Sequence, residues 1–238
     1  MPLPATIHGV AELLGLAALE SPDKLALVEA AGRSMTWAEL DEEVSRLATG
    51  LGAAGILAGH RVAIATVNRL EFVATYLAVL RVQAVAVPIN PRATGTEIAR
   101  MVGDSGARLV VADAHAIGAV REAIGYVDRA IAGDLDLGHV DADFFARTVR
   151  PQTYVVGATL RDGERAYADL RAGQPRAVPQ LADTERLAVL LYTSGASGRP
   201  RGAMLTHRAL LANVEQIAAV EPPMIHGDDV VLGGLPLF

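Results

Sequence analysis

Leu187-Ala-Val-Leu-Leu-Tyr-Thr-Ser-Gly-Ala-Ser-Gly-Arg-Pro-Arg-Gly202 joins a short apolar run to a small, hydroxylated, glycine-rich segment carrying two arginines. Side chains this small let backbone N–H groups converge on one point and form a concave anion site. The hydroxyls of Thr193, Ser194 and Ser197 add donors, and Arg199 and Arg201 add positive charge. Downstream, Thr206 is a good helix N-cap, and Leu210, Leu211, Val214, Ile217 and Ala218 fall on one helical face. A strand, a glycine-rich loop and a helix in that order form a phosphate-binding arrangement. A flexible surface turn would account for the glycines but not for the hydroxyls and the arginine pair. The loop is not a Walker A sequence, which requires G-x-x-x-x-G-K-[ST].

Upstream, apolar and polar runs alternate between two periods. Val10, Leu13, Leu14 and Ala17 predict a first amphipathic helix stopped at Ser21-Pro22. Leu25–Val28 and Ser34–Thr36 flank Ala31-Gly32-Arg33 and predict a hairpin. Thr36-Trp-Ala-Glu39 fits a capping box opening a helix with Leu40, Val44, Leu47 and Leu51 on one face. Arg61–Val67, Ala84–Pro88 and Leu109–Ala112 read as strands buried on both faces, with helices from Asn68 to about Arg81 and from Thr94 between them. The fold class expected is therefore α/β, a mostly parallel sheet with flanking helices. Residues 113–150 predict helix then loop, with a solvated acidic run from Asp134 to Asp143. Thr153–Gly157 predicts a further strand, and Arg171–Asp183 a linker.

The 238 residues, 51% hydrophobic, suffice for a substantial core. A net charge of −6 argues against nucleic acid as a partner. The absence of cysteine excludes disulfides and thiolate metal sites. No stretch approaches the ~18 apolar residues of a membrane span, and Met1–Leu14 lacks the basic start and apolar core of a signal peptide. A cytoplasmic protein is the expectation. Lys24 is the only lysine against twenty arginines.

Gly50-Leu-Gly-Ala-Ala-Gly55 matches G-x-G-x-x-G in letters only, because it ends a helix and precedes a strand, the reverse of a dinucleotide fingerprint. None of the six histidines is spaced as a metal pair, and no carboxylate cluster accompanies them, so no metal ligand is named. His207, beside the helix cap, reads as a structural residue that caps or lines the loop. Tyr192 reads equally as a core aromatic or a ligand contact. No Ser/His/Asp set stands out, and no catalytic residue is assigned.

Tyr192-Thr-Ser-Gly-Ala-Ser-Gly-Arg-Pro-Arg-Gly202 followed by Leu205-Thr-His207 resembles the phosphate loop of the adenylate-forming (AMP-binding) superfamily. That loop reads tyrosine-threonine-serine-glycine-threonine-threonine-glycine, any residue, proline-lysine-glycine. Met35-Thr-Trp-Ala-Glu-Leu40, Gly59–Ile64, Asn68, Glu71-Phe72, Val87–Arg92, Asp104–Arg108 and Leu235-Pro-Leu-Phe238 fall in the family's order, nearest to acyl-CoA synthetases. Only about 113–180 lies outside the resemblance. Ala196 replaces a loop threonine, Ser197 keeps a hydroxyl, and Arg201 replaces the family's lysine with a rigid fork of donors.

The resemblance implies an ATP-dependent ligase that activates a carboxylic acid, a fatty acid first among candidates, and passes it to CoA. It implies ATP and Mg2+ as cofactors and CoA as co-substrate. Thr193, Ser194, Gly195, Ala196, Ser197, Gly198, Arg201 and Gly202 would bind the phosphates. It implies three parts: 1–59 packing on a second subdomain, 60–214 as the α/β subdomain bearing the loop, and 215–238 opening the second subdomain. The family's adenine-binding segment and mobile terminal domain have no counterpart here. The expectation is thus an N-terminal portion of the enzyme, inactive alone and self-associating through apolar surface. An acyl-AMP ligase without CoA transfer, or a non-catalytic nucleotide-binding or interaction module, are the alternatives.

Overall fold

The computed structural model describes residues 7–134, 148–171, 174–176, 178, 182–194 and 200–238. Helix α1 (Val10–Glu20) buries Ala11 and Leu14 and is followed by an antiparallel hairpin, β1 (Leu25–Val28) and β2 (Ser34–Thr36). Helix α2 (Trp37–Ala53) opens with the expected capping box. Thr36 Oγ1 accepts from the Glu39 N–H at 3.2 Å, and Glu39 Oε2 accepts from the Thr36 N–H at 2.8 Å. Leu40, Val44, Leu47 and Leu51, one period of 3.6 apart, are each at most 1% exposed.

The alternation then runs β3 (Arg61–Ala65), α3 (Leu70–Arg81), β4 (Val85–Pro88), α4 (Gly95–Ser105), β5 (Leu109–Asp113) and α5 (Ile117–Ile131). It continues with β6 (Gln152–Val156), β7 (Glu164–Ala166), a 3-10 turn (Tyr167–Arg171), β8 (Leu187–Ser194), β9 (Pro200–Thr206) and α6 (His207–Ala218). A second capping box, Thr94 with Glu97, opens α4. The seven-stranded sheet has the order β7-β6-β5-β3-β4-β8-β9, parallel throughout except for β9 against β8. The mostly parallel α/β sheet expected from the alternation is what forms.

Both faces of the sheet are covered, which is why its strands read as continuous apolar runs. Val62 and Ile64 of β3 join one core with α1, α2 and α3, while Ala63 and Ala65 join a second core with α4 and α5. The chain leaves β3 toward one face and its neighbour β5 toward the other. That divergence opens a crevice at the carboxyl edge between them, the place where α/β sheets bind ligands.

Gly50 serves packing and Gly55 the helix end, as the position of this stretch at the end of α2 implies. A Cβ at Gly50 would lie 1.7 Å from the Leu170 carbonyl oxygen of the 3-10 turn, and Gly55 takes a φ of +82° after α2. The strands β7 and β9 and the 3-10 turn are additions to the sequence reading. The acidic run beyond Asp134 and residues 172, 173, 177 and 179–181 of the linker lie outside the described residues.

One expectation is corrected. No helix follows the glycine-rich loop directly, because Pro200–Thr206 forms β9 and turns the loop into the connection of a β8–β9 hairpin. Thr206 does cap α6, accepting from the Ala209 N–H, but it pairs with Leu187 at the start of β8. Six residues of strand at about 3.3 Å each separate this helix N-terminus from the loop by about 20 Å. The α6 dipole therefore does not act at the glycine-rich loop, contrary to the strand–loop–helix arrangement expected.

Candidate functional site

Because β8 runs parallel to β4, Ser194 ends at the same carboxyl edge as β3, β5 and β6. Thr193 and Ser194 end β8, Arg201 and Gly202 stand in β9, and the register pairs Thr193 with Arg201 and Ser194 with Pro200. Gly195, Ala196, Ser197 and Gly198 lie outside the described residues, as does Arg199. Val189 and Leu191 of β8 pack into the α1–α3 core and Leu190 and Tyr192 into the other. By that alternation Thr193 and its cross-strand partner Arg201 share a face, and both are exposed. A hydroxyl and a guanidinium thus stand side by side at the root of the loop. Pro200, which cannot donate to a ladder, is tolerated because β9 is an edge strand.

Tyr192 points the other way, into the sheet–α4 layer. Its hydroxyl lies 2.5 Å from Asp104 Oδ2 near the end of α4, and burial together with that carboxylate pushes the phenol's pKa far up. Gly202 sits opposite it, and a Cβ there would lie 3.3 Å from the Tyr192 ring. Of the two roles the sequence left open for Tyr192, the structure supports the structural one.

At the carboxyl end of β5 stands Asp113, which the sequence reading left without a role. It is fully buried and accepts from the N–H groups of Val67 (3.0 Å), His115 (2.9 Å) and Ala116 (3.2 Å). Arg69 Nη1 stands 3.8 Å away and His115 Nδ1 3.5 Å away. A carboxylate ending a buried apolar strand, as in Leu109-Val-Val-Ala-Asp113, was the available signal, since such a group must find donors.

Arg69 also meets Glu71 at 2.7 Å, and Arg33 bridges Glu71 and Glu29. Burial raises the Glu71 carboxyl, but the hydrogen bonds from Arg33 and Arg69 outweigh it and bring it down to about 2. Glu29 in turn accepts from the Leu70 N–H and so holds the start of α3. A cleft of about 600 Å³ lies beside this network, toward β6 and β7, with Glu43 and Arg171 in its wall. Both of its arginines are matched by glutamates, Arg33 by Glu71 and Arg171 by Glu43.

His207 does not line the loop, which corrects that part of its reading. It is 1% exposed at the opposite end of the hairpin, where its Nδ1 accepts from the Val10 N–H at 3.3 Å and ties α6 to α1. Burial, reinforced by the charge of Arg186, lowers its pKa to about 4. Among the described residues no group of three His, Asp or Glu side chains is disposed to hold a metal ion. Mg2+ at such a site would draw its ligands mainly from phosphate oxygens and water.

The family model described as AMP-binding enzyme matches residues 16–238. A 4-coumarate–CoA ligase-like protein of Oryza sativa subsp. japonica is 34% identical over 222 residues, covering 91% of this chain and 36% of its own length. A long-chain-fatty-acid–CoA ligase of Escherichia coli O157:H7 is 32% identical over 224 residues, covering 87% and 38%. Among solved structures, a putative long-chain-fatty-acid CoA ligase from Rhodopseudomonas palustris CGA009 superposes with a TM-score of 0.70 at 26% identity, covering 90% of this chain and 48% of that one. The chain thus spans a little over a third of the length of these curated relatives. With the family's match running from α1 through the β8–β9 hairpin to the last residue, the chain belongs to the AMP-binding enzymes.

Proposed function

We propose that this chain supplies the ATP-phosphate-binding part of a carboxylate-activating ligase of the acyl-CoA synthetase type. The observation that carries the reading is the β8–β9 hairpin, which offers Thr193 and Arg201 on one exposed face at the carboxyl edge of a parallel sheet. In the proposed reaction a carboxylate oxygen bonds to the α-phosphorus of ATP. The bond from that phosphorus to the α–β bridging oxygen breaks, and pyrophosphate leaves with the electron pair. The sulfur of CoA then bonds to the acyl carbon, the bond from that carbon to the AMP oxygen breaks, AMP leaves with the electron pair, and the thiol proton passes to solvent. Negative charge grows on the departing pyrophosphate, so preorganised donors around the β- and γ-phosphates lower the barrier. Thr193, Ser194, Gly195, Ser197, Gly198 and Arg201 are the residues assigned to that task, with Mg2+ bound through the phosphates. The loop brings no nucleophile or general base.

A fatty acid is the substrate proposed first, on the likeness to long-chain-fatty-acid–CoA ligases. The 4-coumarate–CoA ligase relatives make an aromatic acid the competing choice. Carboxylate-dependent exchange of label between pyrophosphate and ATP, run on a full-length ligase that contains these residues over aliphatic and aromatic acids, tests both. Exchange with the aliphatic set supports the reading, and none with any acid overturns it. A cytoplasmic location goes with this reading.

The 238 residues by themselves are expected not to turn over, since they match so small a share of their relatives. They are also expected to associate. Met204 on β9 and Val230, Leu232 and Leu235 near the end are 71%, 95%, 91% and 81% exposed. Each 100 Å² of such surface taken from water is worth ~2.5 kcal/mol. Light scattering over a concentration series should show growing mass, and a constant monomer would refute the association.

A further inference from the structure

Residues 230–235 are open to solvent, so apolar burial does not hold them in place. The side chain of Asn68 bonds them. Asn68 Nδ2 donates to the carbonyl oxygens of Leu235 at 2.7 Å and Gly233 at 3.3 Å, and Asn68 Oδ1 accepts from the Leu237 N–H at 3.0 Å. All three partners are backbone groups some 165 residues away in sequence. The base of this contact is firm, because the preceding Val67 N–H is bonded to buried Asp113 and the following Arg69 is paired with Glu71. A second tie lies upstream, where Nζ of Lys24, the only lysine, donates to the Gly227 carbonyl.

We propose that Asn68 is a positioning residue that straps residues 233–237 across the carboxyl edge of β3, beside Asp113. Resting on the ligase reading, the strap lies on the same sheet edge as the loop proposed to hold the phosphates. An amide suits this task because it presents donors and an acceptor together, whereas an ionised carboxylate offers acceptors only.

Amide hydrogen exchange of the 238-residue chain and its Asn68→Ala and Asn68→Asp variants tests the strap. In Asn68→Ala the Leu237 amide should exchange about tenfold faster than in the parent, while Ala63 and Ile64 in β3 are unchanged. Asn68→Asp at pH 7 keeps an acceptor for the Leu237 N–H but turns a carboxylate oxygen toward the Leu235 and Gly233 carbonyls, so its Leu237 rate should lie between those of the parent and Asn68→Ala. At about pH 3.5, where its carboxyl gains a donor proton, it should recover protection relative to Asn68→Ala. Equal Leu237 rates in the parent and Asn68→Ala would overturn the strap, as would parallel acceleration of Ala63 and Ile64, or no acid recovery in Asn68→Asp. An ATP titration of the same samples separates the two readings. Absent nucleotide binding counts against the phosphate loop while the exchange pattern still decides the strap.

Discussion

The Tyr192 hydroxyl donates to the Asp104 carboxylate across 2.5 Å, joining β8 to the end of α4 one residue before the glycine-rich segment begins. The contact fixes the direction of the whole motif. With Tyr192 turned into the α4 layer, strand alternation sends Thr193 and Arg201 to the other face, where both are exposed. Tyr192→Phe keeps the ring and removes the bond, so it should cost about 1 kcal/mol in urea unfolding. Asp104→Asn, which retains an acceptor, should cost less. Equal stability of the phenylalanine variant and the parent would show that the bond contributes nothing net.

Gly50 and Gly52 separate packing from fingerprint. A methyl at Gly50 would run into the Leu170 carbonyl, whereas nothing lies within 4 Å of one at Gly52. Gly50→Ala should destabilise by about 2 kcal/mol or more through overpacking. Gly52→Ala, inside α2, should be neutral or stabilising by up to about 1 kcal/mol. Thermal unfolding of the pair checks this, and a harmless Gly50→Ala would remove the structural account of that glycine.

His207 gives the fold an acid-sensitive joint between α1 and α6. Its pKa is about 4 when folded against an ordinary 6.5, so between those values the unfolded chain binds more protons than the folded one. The stability due to neutral His207 is therefore complete above pH 6.5, falls as pH drops toward 4, and changes no further below that. The loss is on the order of 3 kcal/mol. His207→Asn offers the Val10 N–H an uncharged acceptor. Its stability relative to the parent should rise as pH falls through this window, and parallel pH profiles for the two would refute the role.

Arg201, which is exposed, tests the proposed phosphate site. Calorimetry with ATP should show about tenfold weaker binding for Arg201→Ala, the value of one charge-assisted hydrogen bond. Arg201→Lys restores the charge and should recover most of the affinity. Equal affinities in parent and alanine variant would remove Arg201 from the site.

What could be read in advance followed periodicity and caps. The four leucine and valine positions of α2 and the box at Thr36 depend on neighbours three and four residues away, and they formed as written. Strand β9 was illegible because Pro200-Arg-Gly-Ala-Met-Leu-Thr206 has no clean alternation. It is a strand because β8 lies beside it to pair with. Strand β7, three residues with one alanine, takes its state from β6 in the same way. Asp113 and Asn68 escaped functional assignment because their partners are distant in the chain.

The sequence by itself determined the α/β alternation, the helix starts and the family to which the glycine-rich segment belongs, since each is written in short-range pattern. Only the tertiary structure decided that this segment is the connection of a hairpin rather than the cap of a helix. It alone decided that Tyr192 braces α4 and that His207 serves α1. The physical reason is common to all three. A side chain's face on a strand, and the end of the sheet at which a loop emerges, depend on which strand lies beside it, and no local propensity specifies that neighbour.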